Sequence, residues 1–163
     1  MDTEFLSNNK TKLMGFFGNL VNKLTGGGAK VALEVSGNKL HEPISVKITA
    51  TVADAEMKIS KVYLHVKAVE HCRVRNIDVA SGSSTTKQDV TGTEETFDQE
   101  FAIEGPQTLA ANQTYTWSKQ ITLPSGVLPT FIGKNAQHEW EFVAALDASG
   151  NDPDSGWIKV VLS

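Results

Sequence analysis

Few residues in this sequence have types and spacings that could bind or transform a ligand. His65, His71 and Cys72 are zinc-ligand types in one short stretch. On an extended strand the two histidines share a face but stand roughly 20 Å apart at ~3.3 Å per residue. A zinc ion with ligands about 2 Å away cannot span that gap, and Cys72 points to the opposite face. The expectation is two surface histidines and a buried apolar cysteine. Asp147, Asn151, Asp152 and Asp154 gather hard oxygens suited to Ca²⁺. The EF-hand spacing is absent, though, and Asp, Asn, Gly and Pro are also the commonest turn residues. Asp147, Asp152 and Asp154 therefore stand only as a weak calcium candidate, and no other metal is expected.

Glu139 and Glu141 flank Trp140 with the residue types of a glycosidase acid pair, but neighbours at i and i+2 on a solvent face are usually just hydrated. A Ser/His/Asp triad meets in space, so residue types alone do not locate one, and no G-x-S-x-G elbow occurs. The glycines at 26–28 precede an extended pattern and lack the Lys-Ser/Thr of a phosphate loop. The expected protein is not an enzyme, with no catalytic residues and no cofactor.

The elements around these residues are mostly short strands. The stretch 120–162 reads as strand, proline-bounded crossing loop, strand, acidic turn and strand. Trp140, Phe142, Ala144 and Leu146 fall on one face by period-2 spacing, and Trp157, Ile158, Val160 and Leu162 close the sheet. Upstream, Val31, Leu33 and Val35 alternate, then Ile44, Val46, Ile48, Ala50 and Val52. Val62, Leu64, Val66 and Ala68 point inward on a longer strand that can run on through residue 80. The Ser/Thr/Gly-rich stretch 81–95 reads as a mobile loop. Alternation resumes at Phe97, Phe101 and Ile103. It returns with Tyr115, Trp117, Ile121 and Leu123, where Lys119 breaks the inward face and marks a bulge or a rim position. Seven or eight such strands argue for an all-β, antiparallel immunoglobulin-like sandwich over 29–163.

Before the strands, residues 1–12 read as a disordered lead. Residues 13–25 form a short amphipathic helix, and 26–28 form a glycine hinge; Met14 is a second possible start. Leu13, Phe16, Phe17, Leu20, Val21 and Leu24 make the helical stripe. This face can cover an edge of its own sandwich, dock on a second subunit or partner groove, or lie on a membrane surface.

Composition limits the partners. The chain has 163 residues and a net charge of −4, with no basic run able to grip nucleic acid. A single cysteine excludes an internal disulfide. No segment approaches the ~20 apolar residues of a spanning helix, and no secretory signal is evident, so a cytoplasmic location is expected.

Several pieces together resemble the arrestin-like β-sandwich family. They are Leu123-Pro124, the loop Leu128-Pro129-Thr130-Phe131-Ile132-Gly133, the strand 140–146 and the closing strand 157–162. The opening GFFGNLVNKL, leading through GGGAK into a strand, is similar to the N-terminal domain of the bacterial sporulation-control branch. His41-Glu42-Pro43 departs from the family's Pro-Gly-Glu turn. The resemblance covers roughly 15–162 and implies a non-catalytic interaction, scaffolding or regulatory module, connected with sporulation or stress control. It implies protein partners of unknown identity, a homodimer among them. The two-domain receptor and phosphate sensing of arrestins does not carry over. The alternative class is a ligand-binding sandwich for carbohydrate or Ca²⁺, or a peripheral membrane-surface adaptor.

Overall fold

The computed structural model describes residues 28–163. The polar lead, the helical stripe at 13–24 and all of the glycine hinge except Gly28 lie outside the described residues. Nine strands follow in order: β1 (Ala29–Ser36), β2 (Ile44–Val52), β3 (Met57–Ser81), β4 (Ser84–Glu104), β5 (Gln107–Leu109), β6 (Thr114–Ile121), β7 (Phe131–Ile132), β8 (Ala136–Ala148) and β9 (Ile158–Val160). One sheet has the order β1-β2-β6. The other runs β4-β3-β8-β7, with β5 also on β3 and β9 also on β8. Every pairing is antiparallel. The all-β antiparallel sandwich expected from the alternation is therefore present. Its strand number exceeds the expectation because β5, β7 and β9 are only two or three residues long.

The core lies between the two sheets and is built by period-2 spacing. Ile44, Val46, Ile48, Ala50 and Val52 of β2 are buried, as are Val62, Leu64, Val66 and Ala68 of β3. From β8, Trp140, Phe142, Ala144 and Leu146 fill the centre with no exposed surface. Each of the buried Val, Leu, Ile and Phe side chains contributes about 1.5–3 kcal/mol through burial, and each alanine less. Strand β8 is buried on both faces between residues 142 and 146. Its free edge is covered in turn by β7, β9 and a bridge from Ala145 to Asp154.

Two expectations are corrected here. The stretch 81–95 is no loop, since Ser84–Glu104 is one continuous strand joined to β3 by a two-residue turn. Gly82 takes φ +62 in the first central position, the conformation a hairpin turn of this length asks of glycine. The segment lacks apolar alternation because neither of its faces meets the core. Cys72 is exposed rather than buried, because β3 has left the sandwich by that point. Trp157, just before β9, lies on the outer face of the six-stranded sheet, with its ring 4.2 Å from the Lys67 ammonium and 5.2 Å from His65. The structure also decides the position of Lys119. The β2–β6 register is unbroken, so no bulge exists there, and Lys119 Nζ sits at the rim donating to Ala102 O at 2.6 Å.

Candidate functional site

The histidines and acids singled out by type are dispersed and locally engaged. His65 Nε2 lies 2.5 Å from Asp98 Oδ1, and this bond holds the Asp98 carboxyl below the usual carboxylate range. His71 Nδ1 meets Thr93 Oγ1 at 3.1 Å. Glu139 pairs with Lys159 at 2.7 Å and Glu141 with Lys67 at 3.6 Å, each on the outer face. In the acidic turn, Asp147 accepts from Ser60 Oγ at 2.5 Å and Asp154 from the Gly156 amide at 2.6 Å. Asp152 accepts from the Ala148 amide at 3.1 Å and from the Tyr63 hydroxyl at 3.3 Å. Burial first, and then Asp152, push the Tyr63 phenol up to about 12. These carboxylates serve the turn, and among the described residues no group of three His, Cys, Asp or Glu is gathered to hold a metal ion.

The crossing loop is a structural fastening. Trp140 Nε1 donates to Leu128 O at 2.9 Å, and His138 Nδ1 lies 3.0 Å from Pro129 O. A carbonyl only accepts, so Nδ1 carries a proton, while Nε2 lies 2.7 Å from Thr96 Oγ1, whose hydroxyl also reaches Ala68 O at 3.3 Å. The fully buried His138 ring sits between Phe131 and Trp140. Thr130 closes the arrangement, donating its amide to Leu162 O at 2.8 Å and accepting from the Leu162 amide at 3.0 Å. Sequence reasoning passed over His138, whose only signal was its inward period relative to Trp140.

The feature most suited to recognition is one that composition concealed. Beyond the pairs Cys72–Ala136 and Cys72–Gly92, β3 and β4 continue as a two-stranded arm to Ser81–Ser84. Nine further residues of β3 at ~3.3 Å each project the tip about 30 Å from the sheet. A bulge between Val74 and Ile77, with Asn76 at φ 54, keeps the arm amphipathic. Cross-strand partners share a face, so Cys72, Val74, Ile77 and Val79 lie with Gly92, Val90, Gln88 and Thr86 on one side, without a charge. This side continues the core-facing side of β3, but among the described residues no opposing sheet covers it, and Val74 and Val90 are exposed there. The other side carries the ion pairs Arg73–Asp89 at 2.5 Å and Lys87–Asp78 at 3.2 Å. Arg73 first, and then the Asn76 amide, hold the Asp89 carboxyl below its ordinary range.

At the arm's root, the β7–β8 turn meets β3. Gly133 N donates to Ala136 O at 2.7 Å to close the turn, and Arg73 N donates to Asn135 O at 2.7 Å. Between turn and bulge lies an open cleft of about 680 Å³, lined by residues 72–76 and 134–136. Its lining includes the three cationic residues Arg73, Arg75 and Lys134. The Thr- and Val-rich β-branched run and the Gly82-Ser83 pair were the available signals for the arm.

No protein-family model matches the chain, and no curated protein matches it. The fold is similar to that of the solved structure of Spo0M, a sporulation control protein from Bacillus subtilis, with a TM-score of 0.58 and 16% identity. The likeness covers 85% of this chain and 50% of that one, so this chain spans about half of Spo0M's length. At that identity the likeness shows the fold alone. Among the described residues no helix is long and apolar enough to cross a membrane.

Proposed function

We propose that the protein is a non-catalytic interaction module whose sandwich presents the β3–β4 arm to another protein, in a regulatory or scaffolding role. The observation that carries this reading is the uncharged side of the arm, uncovered among the described residues, where Val74 and Val90 stand exposed opposite each other. A two-stranded ribbon outside a core is marginal by itself, so an apolar face on it gains most by meeting a partner. The fold similarity to a sporulation control protein fits a regulatory role in the same weak sense that any shared fold does.

A photo-crosslinking amino acid placed at Val74 or Val90 in the producing cell tests the reading. Discrete crosslinked species are expected there and not from Thr49, on the outer face of the three-stranded sheet. Equal labelling at all three positions, or none, would overturn it. A second copy of the chain counts as a protein partner and is recognised by the mass of the crosslinked species.

A further inference from the structure

We propose, resting on the interaction-module reading above, that the free edge of β3 in the arm takes an extended peptide of another protein, acidic at its C-terminal end, by strand addition. Two observations meet at one place. The first is backbone. Strand β8 pairs β3 only as far as Cys72, and the Asn135 carbonyl takes the Arg73 amide. Among the described residues nothing pairs that edge of β3 further along the arm, so its donors and acceptors from Ile77 to Ser81 stand ready for another strand.

The second observation is charge. The cleft at this junction is lined by Arg73, Arg75 and Lys134 in a chain whose net charge is −4. Arg73 is bonded to Asp89, whose carboxylate the Arg75 charge also reaches, and among the described residues neither Arg75 nor Lys134 is within salt-bridge distance of a carboxylate. A strand continuing the line of β8 antiparallel to β3, the stronger pairing, runs from the arm's tip to its root. Its C-terminal end therefore arrives beside Lys134 and Arg75, where the turn at 133–136 blocks further travel. Carboxylates belong at that end, and β-branched residues belong alongside Ile77 and Val79. A bulge and edge cations are also the means by which sheets repel indiscriminate pairing, and a peptide of this charge and direction is the one they admit.

The test uses the full chain and a fluorescein-labelled peptide, Thr-Val-Thr-Val-Thr-Asp-Glu-Glu with a free C-terminus, followed by anisotropy. Saturable binding is expected. It should weaken about tenfold in Arg75→Ala and in Lys134→Ala, a loss of about 1.4 kcal/mol each, and stay unchanged in Lys159→Ala. Methylating alternate peptide nitrogens, or reversing the peptide sequence, should abolish it. Full binding by the methylated or reversed peptide would overturn strand addition in this direction. Equal binding by a single-stranded oligonucleotide of the same charge would reduce the cleft to a general anion site and overturn the proposal. So would absence of binding. If the peptide fails while the Val74 crosslinks persist, this inference falls and the interaction reading stands. If both fail, both fall.

Discussion

At the scale of single residues, the most informative side chains hold structure together. His138 is buried, bonded at both ring nitrogens and packed between two aromatic rings. Replacing it with alanine leaves Pro129 O without its donor and opens a cavity beside Trp140. We expect His138→Ala to lower unfolding free energy by about 2–4 kcal/mol, read from the urea midpoint by tryptophan fluorescence. A change under about 0.5 kcal/mol would show that the crossing loop is held by Trp140 and Thr130 without it. Individual residue types were a poor guide to such roles. The acidic turn offers what calcium uses, yet Asp147, Asp152 and Asp154 each answer a nearby hydroxyl or amide. Turn chemistry and metal chemistry draw on the same carboxylates, and only geometry separates them.

At the scale of elements, period-2 alternation was legible wherever a strand has one wet and one dry face. Strand β2 and residues 62–68 of β3 follow it residue by residue. The distal half of β4 does not, because every residue from 84 to 96 is exposed and there is no dry face to write a pattern. What stabilises that part is cross-strand pairing, including Arg73–Asp89. The Asp89 carboxyl is depressed in the folded arm. Its contribution is therefore present above the ordinary carboxyl range near ~4 and is lost as pH falls through the lower folded value. The Asn76 amide, bonded to Asp89 Oδ1 at 3.1 Å, reports this directly. Its proton shift should titrate with a midpoint below that of an ordinary aspartate and should stop titrating in Asp89→Asn. A midpoint at or above the ordinary range would mean that the arm does not hold the pair in solution.

At the scale of the whole molecule, the sandwich and the arm divide the work of folding and presentation. Among the described residues nearly all of the buried apolar surface lies between the two sheets, and the arm adds only half-buried Ile77 and Val79. The steepness of denaturant unfolding follows the surface buried in the native state. Replacing residues 73–91 with a short two-residue turn that joins Cys72 to Gly92 should therefore leave the urea midpoint and slope almost unchanged, shifting stability by less than about 1 kcal/mol. The same replacement removes the free β3 edge, the uncharged face and two cations of the cleft, so crosslinking and peptide binding should vanish together. A large fall in midpoint would instead make the arm part of the folding unit. In that case its length would be explained by stability and its exposed valines would need no partner. Retained stability with lost binding is the pattern of an element kept for what it meets outside the fold.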